Sequence, residues 1–316
     1  MTATTRPMSP LGEARFDRSR TQGHGLADDL RSFRTAVSLG WSMEANWTDP
    51  VLFLIYSVAK PIASALILVF MIDVIAGPAG QPLRGFVIVG SALWSLVLSG
   101  IAGLAWAVLD DRERYRMLKY VYVSPSPFVV VLIGRGIARL AVGAMGAGIT
   151  LFAGVVFLGV TFSLAAVDWP LLVITLVLGT IAILAIGVLM AAICIQTRQD
   201  SWTYPEAVAG ALFLIVGAVF PLSALPDPLQ VLGLLNPLTW WIDGVRQALF
   251  PGGTSSIGGS GSAWYRITGS LNPSDGQIVI ALLATGALVT LGSAIAFRAS
   301  EHRAKDRGTI DRTTGS

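Results

Sequence analysis

Six long apolar runs govern what this chain can become. They cover residues 51–75, 85–109, 137–162, 169–195, 204–220 and 277–297. A helix rises about 1.5 Å per residue, so about 20 apolar residues cross a hydrocarbon core of about 30 Å. Runs of that kind are not surface helices of a soluble domain, which need a polar face along their whole length. Composition agrees: of 316 residues 53% are hydrophobic and only 13% charged, and mean hydropathy is +0.68. Soluble domains carry about a quarter charged residues to stay in water. The expected fold class is an all-α membrane protein with six transmembrane helices.

Charge in the connecting segments predicts the orientation, because cytoplasmic loops hold an excess of Lys and Arg. One side collects Arg6, Arg15, Arg18, Arg20, Arg31 and Arg34, then Arg112, Arg114, Arg116 and Lys119, then Arg198, and finally Arg298, Arg303, Lys305, Arg307 and Arg312. The other side has only Arg84, Arg246 and Arg266, beside a Gly and Ser-rich outer loop over 251–276 that reads as exposed and flexible. The first 50 residues lack the apolar core of a signal peptide, so the expectation is a multi-pass plasma-membrane protein with both termini cytoplasmic. Tails 1–25 and 299–316 hold little to bury and read as disordered.

Between tail and first span, Leu26, Leu30, Phe33, Val37 and Trp41 recur at helical spacing, with Asp28, Asp29, Arg31 and Arg34 elsewhere on the wheel. Residues 26–48 read as an N-terminal interfacial amphipathic helix on the inner leaflet, with Trp41 and Trp47 at headgroup level, or as a soluble cap helix. The transmembrane domain itself runs over 49–298.

Ionisable residues within spans are costly and therefore informative. Lys60 reads as an anchor that snorkels to the headgroups. Arg135 and Arg139, one turn apart on the inner extension of the third helix, suit anionic lipid or a partner carboxylate. Asp73 and Asp168 fall at outer ends, and Glu206, after Pro205, suits a helix N-terminus. No Asp, Glu or His relay threads the middle of the bundle, as a proton-coupled carrier needs.

His24 and His302 lie in the tails, and the lone Cys194 sits in an apolar run, so neither a catalytic nor a metal-ligand set assembles within the spans. The basic residues form no continuous stripe for nucleic acid. No phosphate-cradling GxxxxGK[ST] loop is present, so ATP, if used, binds elsewhere.

Two segments remain that membrane insertion alone does not explain. Residues 110–123 pass from mixed charge (Arg112, Glu113, Arg114) to Tyr115, Met117, Leu118 and Tyr122. On a helix Tyr115, Leu118 and Tyr122 share one side, which makes either an apolar docking knob rimmed by charge or an ordinary positive turn. Pro125 and Pro127 end it. Residues 225–250 are apolar but broken by Pro226, Pro228 and Asn236-Pro237, each piece too short to cross, and read as a re-entrant helical hairpin before the last span. Asn236 suits an N-cap with Pro237 at the first position. Trp240 and Trp241 suit the outer interface, and Asp243 with Arg246 an i, i+3 ion pair.

Over roughly residues 28–298 the chain resembles the ABC type-2 transporter permeases, the drug, lipid and polysaccharide exporters. The likeness rests on the Phe220-Pro221 to Pro226 turn, the Asn236-Pro237-Leu238-Thr239 to Arg246 stretch and the charged run ending in Ser124-Pro125. It implies a dimer of permease subunits, each docking a coupling helix (residues 110–123) into a separate nucleotide-binding subunit that carries ATP and Mg. It implies that this chain binds no cofactor or metal and catalyses nothing itself, while a hydrophobic, lipid-linked, glycan or drug-like substrate leaves the cytoplasm or inner leaflet. In the family the second and fifth spans line the route. There Ser91, Ser95, Ser99 and Gly103 form a stripe suited to packing, dimer contact or substrate, and Trp94, Trp106, Phe213 and Phe220 offer aromatic surface or core. A gradient-driven carrier or channel, or a scaffold subunit without transport, is the competing expectation.

Overall fold

A computed structural model describes residues 26–45, 81–124, 126–157, 159–160, 163–197 and 203–306, with scattered positions between 51 and 77. Among them the fold is all helix, without strands. The described residues give ten α-helices in order: α1 (Leu26–Ala45), α2 (Gln81–Leu109), α3 (Leu118–Val123), α4 (Phe128–Phe157), α5 (Trp169–Gln196), α6 (Tyr204–Ile215), α7 (Asp227–Leu235), α8 (Pro237–Leu249), α9 (Ala263–Thr268) and α10 (Asp275–Asp306). Among the described residues, four segments are long and apolar enough to cross a membrane: Leu83–Arg114, Phe128–Phe157, Trp169–Gln196 and Asp275–Ala304.

These helices begin where local chemistry says they should. Asp168 accepts a hydrogen bond from Leu171 N (3.1 Å) with Pro170 in the first turn of α5, and Asn236 accepts from Leu238 N (3.0 Å) with Pro237 opening α8. Glu206 is exposed in the first turn of α6, where an acid is favoured.

Three sequence expectations change, and another falls outside the described residues. The first apolar run, with Lys60, lies largely outside the described residues, as do Trp47, Pro125 and Arg198. The third helix starts at Phe128, just past Pro127, so Arg135 and Arg139 sit within its first turns. The fifth run stops as a helix at Ile215; its 12 residues reach about 18 Å, short of a hydrocarbon core. It stops because Gly217 takes a φ of +72° and Arg246 holds the carbonyls of Gly217 and Ala218. The C-terminal tail continues α10 to Asp306, with Phe297, Ser300 and Ala304 buried and Ser300 Oγ donating to Ala192 O of α5 (2.6 Å).

At the centre, α2 packs between α4 and α5, with Leu93, Leu96, Val97, Ile101, Leu140, Ile183 and Met190 in one buried cluster. Lipid tails are as apolar as leucine, so close packing and interhelical hydrogen bonds hold such a bundle. The Ser95, Ser99 and Gly103 stripe faces α4: Ser95 Oγ donates to Gly143 O (3.3 Å), and a Cβ on Gly143 would lie 2.7 Å from Ser99 Cβ. α1 crosses the start of α4, where a Cβ on Gly134 would meet Ala36 Cβ at 2.7 Å; Leu30, Leu39 and Trp41 face outward.

Candidate functional site

At one end of the bundle α2 does not stop at Leu109. It runs on through a π-turn, Asp110–Arg114, closed by Tyr115 N donating to Asp110 O (2.8 Å). A π-turn accommodates one residue more than an α-turn and reorients the chain beyond it, which is why such turns collect at functional places. Here it buries Asp111 and Arg112.

Asp111 forms an ion pair with Arg135 of α4, both side chains almost fully enclosed. Arg139, one turn on, holds Glu44 of α1 (2.8 Å) and Asp110 (3.3 Å). Arg112 Nη1 donates to Cys194 O (3.0 Å) and Thr197 O (3.1 Å), satisfying carbonyls that the end of α5 leaves open, while its Nε holds Glu113 Oε1 (2.8 Å). A single hub of charges therefore ties α1, α2, α4 and α5. Lipid or partner carboxylates were the expectation for Arg135 and Arg139; the carboxylates are the chain's own.

Beyond the π-turn the chain reverses at Arg116, which takes a φ of +52°, and Met117 N donates to Asp111 O (2.8 Å). The expected single helix over 110–123 is thus two pieces, the π-turn and α3, broken at 115–117. Arg114, Tyr115 and Met117 are exposed, Glu113 is half-buried, and Arg112, Leu118 and Tyr122 turn inward. Leu118 is fully buried. Tyr122 stacks on Phe128 (4.6 Å), which stacks on Phe297 of α10 (5.9 Å); burial, with Glu301 adding to it, pushes the Tyr122 phenol above its ordinary range.

At the opposite end lies a cap of α7, α8 and α9. Pro226 leads into α7, and α8 follows at once from Asn236 and Pro237. Trp240 and Trp241, expected at the outer interface, are buried within the protein. Trp240 Nε1 donates to Leu234 O (2.7 Å) and its ring meets Trp264 edge-on (5.5 Å). Trp241 lies so closely against Gly179 of α5 that a Cβ there would collide with the indole Cδ1.

Asp243 and Arg246 form no ion pair with each other among the described residues. Asp243 gathers Ser255 Oγ (2.8 Å), Ser256 N (2.5 Å), Ser256 Oγ (2.8 Å) and Gln247 Nε2 (3.2 Å). Arg246 donates to Gly217 O (2.7 Å) and Ala218 O (2.5 Å), with its Cζ 3.5 Å from the Phe86 ring centroid. The approach needs Gly90, since a Cβ there would collide with Ala218 O. The outer loop is correspondingly folded rather than free: Ser255, Ser256 and Ile257 are buried, and Gln230 of α7 accepts from Ala263 N (2.6 Å) at the start of α9. Gln230, Ser255 and Ser256 are site residues that reading the sequence missed. Gln230 alone carried a signal, as a polar residue within an apolar piece.

Among the route candidates, Trp94 and Phe213 pack on each other (4.8 Å), joining α2 to α6. Ser91 Oγ bonds back to Ile88 O (3.1 Å), and Phe220 is half-buried past the end of α6. Ser95 and Ser99 face α4 and so lie away from Phe213.

A family model described as ABC-2 type transporter matches residues 35–250, from α1 through the hub to the end of α8. Proteins named "Inner membrane transport permease YadH" from Escherichia coli (strain K12), Escherichia coli O157:H7 and Shigella flexneri are each 28% identical to this chain over 165 residues, 51% of it and 60% of theirs. The chain thus spans about three fifths of the length of the curated relatives it matches.

Proposed function

Because this chain belongs to the ABC-2 type transporter family, we propose that it is the transmembrane permease subunit of an ATP-binding cassette exporter in the plasma membrane. A separate nucleotide-binding subunit carries ATP and Mg, and a second permease subunit completes the pore. The single observation that carries this reading is the exposed tip at 114–117, which is continuous through the π-turn with a buried charge cluster joining four helices.

The tip offers Arg114, Tyr115 and Met117 to the ATPase subunit, and Arg112, Leu118 and Tyr122 fasten it to the bundle. A rigid load at the tip then moves Asp111 and Arg112, and with them α4 and α5, as packed helices that shift between two arrangements. In this reading the hub end is cytoplasmic, with both termini, and α1 rests on the inner leaflet. The cap of α7 and α8 re-enters the outer leaflet and closes the outward side, held by Asp243 and Arg246. Two further spans, from the first apolar run and from α6 with the turn after it, complete six. The substrate class is hydrophobic, lipid-linked, glycan or drug-like.

Affinity purification of the tagged full chain from its native membranes in mild detergent tests the proposal. The expected result is a stoichiometric, ATP-hydrolysing nucleotide-binding subunit; its reproducible absence refutes the reading.

A further inference from the structure

A cavity of about 410 Å³ opens at the end of the bundle opposite the charged hub, between the start of α2, the end of α8 and the residues that follow α4. Arg84, Phe86, Arg246, Gln247, Phe250 and Thr254 are among its lining, and no described carboxylate is. Arg84 is fixed by Asp73 through Nε and Nη2 (both 2.8 Å), which leaves Nη1 outside the pair. Arg246 is buried, and its Nη1 and Nη2 are spent on the two carbonyls already described, while its Nε finds no acceptor among the described residues. The carboxylate nearest along its helix, Asp243, is committed to Ser255 and Ser256. A buried cation without an ion-pair partner is costly, and an anion in the adjoining space offsets that cost.

A second cavity of about 220 Å³ adjoins the first through Val160 and Phe250, and its lining is wholly apolar, with Ile88, Leu151, Phe152 and Val155 on one side. Phe152 and Val155 are 67% and 40% exposed, so this crevice opens on the apolar outer surface of α4. An arginine-lined chamber leading into an apolar crevice on the flank of a membrane helix matches one chemistry, a charged head joined to a hydrocarbon chain. Guanidinium groups favour phosphate oxygens in such a place. We infer that this chain binds an anionic phospholipid here, with its phosphate on Arg84 Nη1 in the field of the buried Arg246 and an acyl chain along Phe152 and Val155. The inference requires only that α2 and α4 cross a membrane, and it holds whether or not an ATPase partner exists.

Native mass spectrometry of the purified, delipidated full chain tests it, with phosphatidylglycerol as the anionic probe, phosphatidylcholine as the zwitterionic control and inorganic phosphate as the free anion. The expected result is preferential retention of phosphatidylglycerol that millimolar phosphate does not displace. Thr254→Glu, at an exposed position touching neither arginine pair, places a carboxylate in the chamber and lowers that retention about tenfold or more, the scale of one charge-assisted hydrogen bond. Val155→Trp fills the crevice and lowers retention of the lipid without changing its thermal unfolding. Equal retention of the two lipids, or unchanged retention in both variants, overturns the inference. Displacement by inorganic phosphate overturns it too, because the site would then take a free anion. A chain that keeps the lipid but captures no ATPase subunit sinks the transport proposal and leaves this one standing.

Discussion

Asp111→Ala should cost this protein more than any other single charge removal in the hub. Asp111 and Arg135 are both buried, and truncating the carboxylate leaves a guanidinium without its partner in a dry place. Breaking such a pair costs about 3–5 kcal/mol. The surroundings place the expected value at the lower end. The cluster holds three carboxylates (Glu44, Asp110 and Asp111) against Arg135 and Arg139, so deletion of one still leaves the remaining charges balanced. About 3 kcal/mol is roughly two powers of ten in the folded-to-unfolded ratio. Replacing both partners, Asp111→Leu with Arg135→Met, should return stability to within about 1 kcal/mol of the parent, because removal of both charges also removes their desolvation cost. Unfolding in mixed micelles of rising denaturing-detergent fraction, followed by tryptophan fluorescence, reads the parent, Asp111→Leu, Arg135→Met and their double as the four corners of the cycle, with Asp111→Ala beside them. A loss below about 1 kcal/mol for Asp111→Ala, or a double variant as unstable as the sum of the singles, would refute the assignment of this pair as the joint between α2 and α4.

The geometry dictates three further outcomes. Tyr115→Ala with Met117→Ala should leave unfolding unchanged yet reduce ATP hydrolysis in the assembled complex, whereas Leu118→Ala, at a fully buried position, should destabilise by about 2–5 kcal/mol; equal destabilisation by both would contradict the division of this segment into tip and anchor. Exchanging the charges of Asp243 and Arg246 should restore nothing that the single changes lose, since each serves different partners; Asp243→Asn should speed amide exchange at 255–257 selectively, and rescue by the exchange would show a direct pair instead. Gly179→Ala should cost at least about 1–3 kcal/mol, the usual range for overpacking, because Trp241 stands where the new methyl must go; a parental unfolding curve would mean α8 is not seated on α5 this way.

Much of the scaffold was legible because it is local. Apolar length marked α2, α5 and α10, and Asn236-Pro237 marked a helix start through a cap that involves only neighbouring residues. What the sequence hid depends on distant partners. Nothing near Arg135 or Arg139 indicates that their carboxylates lie on the π-turn and on α1, so lipid anchoring was an equally good reading. The i, i+3 spacing of Asp243 and Arg246 was real, but two serines in a loop and two carbonyls past α6 outcompete that pairing. The end of α6 at Ile215 was invisible for the same reason: an apolar run reads as continuous until a guanidinium takes the carbonyls beyond it. The burial of Trp240 and Trp241 was hidden because composition reports that indoles like a polar rim, not that Gly179 leaves one a socket. The break of residues 110–123 into a π-turn and α3 was hidden too, since a π-turn has no composition of its own.

The central claim is that residues 114–117 meet a nucleotide-binding subunit while the cap end does not. Site-specific photo-crosslinking in native membranes addresses it most directly, with the reactive side chain placed in turn at position 115, at position 117 and at the exposed Ile267 of α9. Crosslinks from 115 and 117 to an ATP-binding subunit, and none from 267, are the expected result. Capture of that subunit from 267, or its absence from both tip positions while it still co-purifies, would contradict the account.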